Sequence, residues 1–367
     1  MKCSLYLLKI NDQVIKIVGL NKDQLKGFTK TEAFQNFEFA PISELREVSH
    51  IHNPRAKPED NLLFLAYEND CLAGYLGMLP DDVTDRNGHK VHFGWLSTLF
   101  VSEKFRGKQI AQKLLYAAEE SYNKNLMITE FTPSAGRLYR KIGMFEDLKT
   151  KAAVRYYYKS NLAELLPSKK DIFLKNKIWL KRFDSFINIF IPYLSKGKNH
   201  IYKISRSVDD DLSRFISAQA KNPIARSSED FQWMLNFPWL SQKKEEPDYL
   251  FSSYSEDYEM FWVVVYENQQ IVSAMLCSVR NSHLKVLYYF GNSKVVSEVL
   301  PKIIRKYNVK MMTLYDDHLN HSINDLPKAI YKRPLKREYL VHKGFKEKLG
   351  KNFDFDFTDG DGDFSFT

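Results

Sequence analysis

The chain has 367 residues, 44% hydrophobic, 14% aromatic and 27% charged, which is long enough for two domains and too apolar for a disordered polypeptide. A net charge of +9 admits a nucleic acid or a membrane surface as partner if the cations gather on one face, and equally a small anionic ligand. Three cysteines, Cys3, Cys71 and Cys277, without paired or Cys/His spacing, exclude a disulfide framework and structural zinc and suit a reducing cytoplasm.

At the start of the chain a short apolar run, Leu5 to Ile10, is broken by Lys9 and followed by Asn11, Asp12 and Gln13. It has no small-residue cleavage site, so no signal peptide is expected. Residues 62–66 and 72–78 are apolar and flank the turn formers Glu68, Asn69 and Asp70, which predicts a hairpin. A loop at 81–90 leads to a mostly apolar, aromatic strand at 92–101. Ile110, Leu114, Leu115 and Ala118 recur at helical spacing, predicting a helix from near Gly107 to about Tyr122. A strand at 126–131, a helix at 134–142 stopped by Gly143 and a strand at 153–158 complete the order hairpin, strand, helix, strand, helix, strand.

Residues 161–203 interleave Lys169, Lys170, Lys175, Lys177, Lys181 and Arg182 with Ile172, Phe173, Ile178, Trp179, Leu180 and Phe183. A basic amphipathic helical linker between two domains accounts for this pattern; an interfacial membrane helix is the alternative. Nothing reaches the run of about 18 uncharged apolar residues needed for a membrane span, although 183–194 comes nearest. The second half repeats the outline of the first, with a hairpin at 261–266 and 271–279, a strand at 283–290, a helix at 295–307 and a strand at 309–315, as an internal duplication would. The expected domains are therefore 1–160, 161–203 as linker, and 204–367. The chain ends FDFDFTDGDGDFSFT, where Asp354, Asp356, Asp359, Asp361 and Asp363 alternate with aromatics and glycines. The spacing fails the calcium-loop pattern, and an edge strand followed by an exposed acidic tail is expected.

The chemistry is carried by 99–115, LFVSEKFRGKQIAQKLL. A buried strand passes through a loop with Lys104, Arg106 and Lys108 into a helix whose first residues include Gly107 and Ala111. The free amides of such a helix start, together with its dipole, favour an anion such as a pyrophosphate. Arg106-Gly107-Lys108-Gln109-Ile110-Ala111 resembles the GNAT acetyltransferase signature Gln/Arg-x-x-Gly-x-Gly/Ala, with Gln109 in place of a glycine. That departure leaves the loop able to bind only if residue 109 keeps a helical or bridging backbone, which a non-glycine residue can adopt. Further on, TPSAGRLYRKIGMF is similar to the family's Asn-x-x-Ala-x-x-Leu-Tyr-x-Lys-x-Gly-Phe: Ala135, Leu138, Tyr139, Lys141 and Gly143 match, while Thr132 replaces Asn and Met144 the aromatic.

The resemblance implies an α/β fold with a mixed sheet, the GNAT fold, in which an N-terminal acyl-CoA-binding domain precedes a GNAT-like domain without an Arg-Gly loop. It implies that Leu99, Phe100 and Val101 meet the pantetheine arm, that Arg106, Gly107, Lys108, Gln109, Ile110 and Ala111 hold the phosphates, and that Thr132, Ala135 and Tyr139 complete the cofactor site. The implied activity is transfer of acetyl, or another acyl group, from acyl-CoA to a primary amine, without a metal. Tyr139 would protonate the departing thiolate, and the N–H of Leu99 would face the thioester oxygen. An ordinary ammonium is only about 0.05% neutral at pH 7, a handicap of roughly 4–5 kcal/mol, so a base is needed. The strand segment His92-Phe-Gly-Trp95-Leu-Ser97 has no carboxylate, which leaves His92, or a water chain to Glu130 or Asp81, as candidates. Phe93, Trp95 and Tyr156 to Tyr158 are candidates for the acceptor pocket. A small-molecule amine is expected ahead of a protein. No nucleic-acid partner is expected; binding through the basic stretch would show as steep salt dependence. A non-catalytic acyl-CoA-binding scaffold is the other class that Gln109 and the missing carboxylate leave open.

Overall fold

The computed structural model describes residues 5–10, 13–129, 131–166, 170–191, 198–219, 223–242, 249–251, 254–322, 329–350, 353 and 356–366; Cys3, Glu130, Lys169 and Asp354 lie outside them. In chain order come strands β1 (Leu5–Ile10) and β2 (Gln13–Leu20), helices α1 (Lys22–Leu25), α2 (Glu32–Gln35) and α3 (Glu44–Ile51), and strands β3 (Leu63–Glu68), β4 (Cys71–Thr84) and β5 (Lys90–Val101). Helix α4 (Ile110–Ser121), strand β6 (Leu126–Ile128), helix α5 (Pro133–Ile142) and strand β7 (Phe145–Tyr157) are next. Then come α6 (Leu162–Leu165), α7 (Asp171–Lys175), α8 (Lys177–Ile189), β8 (Ile201–Ser205), α9 (Asp210–Gln219) and α10 (Ser228–Asn236). The chain closes with β9 (Tyr258–Glu267), β10 (Gln270–Arg280), β11 (His283–Gly291), α11 (Ser293–Lys306), β12 (Met311–Leu314), α12 (Asp317–Ser322), β13 (Tyr331–His342) and α13 (Lys343–Leu349).

Two compact units interleave along the sequence. The first comprises Met1–Thr150, Ala220–Ser255 and Arg337–Thr367, the second Lys151–Gln219 and Glu256–Lys336. These limits differ from the continuous stretches 1–160, 161–203 and 204–367, because two later segments fold back onto the first unit.

In the first unit the sheet order is β1-β2-β3-β4-β5-β6-β13, antiparallel at every step except the parallel pair β5–β6. The β3–β4 turn uses Asn69 and Asp70, both at positive φ, as a two-residue type I′ hairpin requires. Strand alternation then builds two cores. Phe64 and Ala66 join Leu76, Met78 and Leu96 beneath Ile110, Leu114, Leu115 and Ala118 of α4. Leu63 and Leu65 face the other way, among Leu25, Phe34, Ile42 and Tyr75.

Among the described residues of the acidic tail, Asp356 is exposed but 359–366 are buried, and 362–366 form a short 3-10 turn instead of a strand. Phe366 stacks on Trp239 with ring centroids 4.6 Å apart, and Phe357 on Tyr339 at 4.2 Å. Asp359 pairs with Arg337 at 2.8 Å. The returning segment 223–242 is tied down by charge: Arg226 meets Asp81 at 2.7 Å, and Arg55 bridges Asp81 and Asp230. Removing one member of so buried a group leaves an uncompensated charge.

The second unit orders its strands β7-β12-β11-β10-β9-β8, again antiparallel except for one parallel pair, β11–β12. Helix α11 packs Val296, Val299, Leu300 and Ile303 on Phe261, Val263, Met275 and Cys277. Hairpin, strand, helix and parallel strand thus recur in the same order in both units.

Candidate active site

The parallel pair β5–β6 is short. Its last partners are Leu96 and Ile128, and beyond them the strands part. On the other side of β5 the register with β4 jumps from Gly77↔Thr98 to Met78↔Leu96, so Ser97 is the extra residue of a β-bulge, a device that bends a strand and re-aims the residues beyond it. Ser102 donates its N–H to the Ala73 carbonyl at 2.9 Å. By strand alternation Phe100 then bonds toward β4, and the main-chain groups of Leu99 and Val101 point into the opening. Their side chains pack against the core under α4, whereas Phe100 lies on the opposite face against Phe39 and Tyr75.

After β5 the chain turns through 102–109 into α4. Gly107 has φ of 87°, and an added Cβ there would meet nothing within 4 Å. Its glycine answers to backbone conformation, not to crowding. Gln109, the N-cap, has φ 58° and ψ 23° and makes no side-chain capping bond. It adopts a left-handed conformation, not the helical or bridging one expected, and this costs a non-glycine residue about 1 kcal/mol. The first-turn amides of α4 have no intrahelical acceptor, and residues 106–109 are exposed, so the main chain here suits a pyrophosphate. The loop cations are partly compensated: Lys104 by Glu38 at 2.8 Å, Lys108 by buried Glu68 at 2.6 Å and Arg106 by Glu103 at 2.8 Å. The Arg106 pair is exposed on both sides and therefore weak, leaving Arg106 able to turn to a phosphate.

Helix α5 starts after its N-cap Thr132, whose hydroxyl accepts from the N–H of Ala135 at 3.2 Å, as a capping residue does. It ends at Gly143 with φ of 78°. Between them Tyr139 is 3% exposed, edge-on to Phe131 and Phe145. Burial, and then the charge of Asp363, push its phenol above the usual range.

Asp363 is the residue that sequence reasoning missed. Its carboxylate accepts from the Thr129 hydroxyl at 3.1 Å and the Ser97 hydroxyl at 3.3 Å, the residues just past the last β5–β6 pair on each strand. The adjoining Gly362, at φ of 74°, lies so close to Thr129 that a Cβ would come within 2.8 Å of its methyl group. The tail thus delivers a carboxylate to the mouth of the opening.

His92 is not brought to this place. It lies five residues before Ser97, roughly 16 Å along an extended strand. Its Nδ1 meets Asp82 at 2.8 Å and its Nε2 meets Asp60 at 2.9 Å. Burial opposes its charge, but the bonds to Asp60 and Asp82 prevail and raise it to about 9. An imidazolium donating from both nitrogens is no base at neutral pH, which corrects the expectation for His92. Asp81 is equally committed: burial disfavours its charge, yet Arg226 and Arg55 hold it down at about 2. Phe93 and Trp95 are fully buried and pack edge-on at 5.0 Å, so they are core residues.

Residues 27–144 match the acetyltransferase (GNAT) family profile. No curated protein sequence matches the chain. Among solved structures, Saccharomyces cerevisiae N-myristoyltransferase with bound myristoyl-CoA is 12% identical, over 92% of this chain and 85% of that one, with a TM-score of 0.53. A protein of unknown function from Enterococcus faecalis, described as a probable N-acyltransferase, is 11% identical, over 90% of this chain and 73% of that one, with a TM-score of 0.52. At such identity the likeness speaks for the fold. The GNAT profile match is confined to residues 27–144, and the solved structures add a likeness of fold.

Proposed function

We propose that the chain is an acyl-CoA-dependent N-acyltransferase, moving an acyl group, acetyl in the simplest case, from coenzyme A to the primary amine of a small molecule. The observation that supports this reading is the end of the β5–β6 pairing at Leu96 and Ile128, beyond which Ser97 and Thr129 hold the carboxylate of Asp363, whose charge acts on the phenol of Tyr139. In this reading the pyrophosphate rests on the amides of 107–112 and the pantetheine arm lies along 99–101. The N–H of Leu99 donates to the thioester oxygen as negative charge grows there.

The amine enters as the free base, its nitrogen bonds to the carbonyl carbon, the C–S bond breaks, and the sulfur takes the Tyr139 proton. The surplus proton of the amine passes to Asp363 and from there restores the Tyr139 phenol. Burial keeps Tyr139 protonated at neutral pH, and the same dry surroundings raise the basicity of the departing thiolate.

Release of coenzyme A from acetyl-CoA with a panel of polyamines, amino sugars and peptides tests the assignment. Turnover is expected with at least one amine. Tyr139→Phe and Asp363→Asn should each lower kcat about 10²–10⁴-fold, the usual worth of a positioned acid or base, with acyl-CoA affinity unchanged. Saturable acyl-CoA binding without turnover across the panel would instead favour a ligand-binding scaffold.

A further inference from the structure

Helix α8 turns an apolar face to solvent. Trp179, Phe183, Phe186 and Phe190 recur at steps of four, three and four, which places them along one side. Each keeps 51–70% of its surface exposed, and Ile178 and Ile189 beside them keep 69% and 75%.

The orientation is fixed from behind. Asp184 is buried and accepts from the Ser160 hydroxyl and from the amides of Leu162 and Ala163, at 2.6, 2.9 and 2.9 Å. Asn188 accepts from the Ser160 N–H at 2.7 Å and donates to its carbonyl at 2.9 Å. Turning the aromatic stripe inward would break these bonds and strand a buried carboxylate.

The residues around the stripe are mostly cationic, with Glu256 lying 3.8 Å from Lys181 in an exposed and therefore weak pair. Between 170 and 190 lie Lys170, Lys175, Lys177, Lys181 and Arg182 against Asp171 and Asp184, and Asp184 is spent on capping. The Arg182 guanidinium sits 5.3 Å over the Trp179 ring, so the cation and the aromatic share one surface. A second copy of the chain related by a two-fold axis would bring these cations against their own equivalents. The matching partner is apolar at depth and negative at its surface.

We propose that this face docks on an anionic lipid surface, with the aromatic stripe at the boundary between headgroups and acyl chains and Lys175, Lys181 and Arg182 among the phosphates. No helix among the described residues is long and apolar enough to cross a membrane; α8 lies along the surface. The inference is independent of the proposed transfer reaction.

Flotation of the full chain with phosphatidylcholine vesicles, with and without phosphatidylglycerol, provides the test. The chain should float with the anionic vesicles and stay behind with the neutral ones. Phe183→Glu combined with Phe186→Glu should weaken binding on the order of tenfold or more. Lys181→Gln and Arg182→Gln should each weaken it on the order of fivefold at low salt. All variants should keep wild-type acyl-CoA affinity and far-ultraviolet circular dichroism, which shows that they fold. Absence of flotation on anionic vesicles, equal flotation on neutral ones, or undiminished binding by the double glutamate variant overturns the proposal. So does a wild-type dimer in sedimentation that the glutamates dissolve, because that assigns the face to a second copy.

Discussion

Gln109 sits at φ 58° in the turn where a glycine would be at ease. Its amide, not its side chain, belongs to the candidate phosphate site, so relief of strain and loss of binding are separable. Gln109→Gly should leave acyl-CoA affinity within about twofold and raise stability by up to about 1 kcal/mol; a clear loss in thermal melting would show that the side chain contributes packing. His92 makes a second residue-scale case. Its raised value of about 9 means that the folded chain holds the proton more tightly than the unfolded one, with an ordinary value near 6.5. The ion pairs with Asp60 and Asp82 therefore stabilise fully below about pH 6.5 and fade as pH rises through about 9. With partial exposure discounted, the contribution is on the order of 1–2 kcal/mol. The stability gap between wild type and His92→Gln in urea should be widest near pH 6 and close above pH 9. A gap that widens with pH would contradict the charged-histidine assignment.

The carboxyl-terminal segment acts at the scale of an element, as an inserted plug that completes the first unit. Phe366 is fully buried against Trp239 and Trp233, so Phe366→Ala should cost about 3–5 kcal/mol in chemical denaturation. An exposed acidic tail would instead leave stability unchanged. Gly362→Ala is the gentler probe: positive φ and the approach to Thr129 should loosen Asp363 from the opening and lower kcat more than the apparent affinity for acyl-CoA. Sequence reasoning reached α4, because Ile110, Leu114, Leu115 and Ala118 announce their shared face locally. It also placed α5, through Thr132 and Gly143 at the ends. The tail escaped it because its partners are remote: Asp363 lies 266 residues from Ser97 and 234 from Thr129. Alternating Asp and Phe reads as an exposed strand until those partners are known. His92 lies away from the candidate site for the opposite reason, since its strand was correct but the bulge at Ser97 leaves no trace in composition.

Across the whole molecule, the two units carry the same local device with different outcomes. In the first, the β4–β5 register jumps between Gly77 and Met78; in the second, the β10–β11 register jumps between Leu276 and Cys277. The order hairpin, strand, helix, strand was legible twice in the sequence, but these matched bulges, which argue for duplication more strongly, were not. The units diverge at the helix start after the bulged strand. Gln109 leaves the first amides of α4 without a side-chain cap. Asn292 instead fills that place on α11, accepting from the N–H of Lys294 at 2.9 Å. Gly291 packs so tightly that a Cβ would lie 2.3 Å from the Val272 carbonyl oxygen. With one first-turn amide already taken and the strand end at Gly291 held close against Val272, this helix start is less suited to a pyrophosphate than that of α4. Calorimetric titration should therefore find one acyl-CoA per chain, and Gly107→Asp, which places a like charge at the loop and strains a backbone at φ 87°, should lower affinity by at least about tenfold. Two sites per chain, or a Gly107→Asp variant that binds normally, would mean that the second unit has kept the function assigned here to the first.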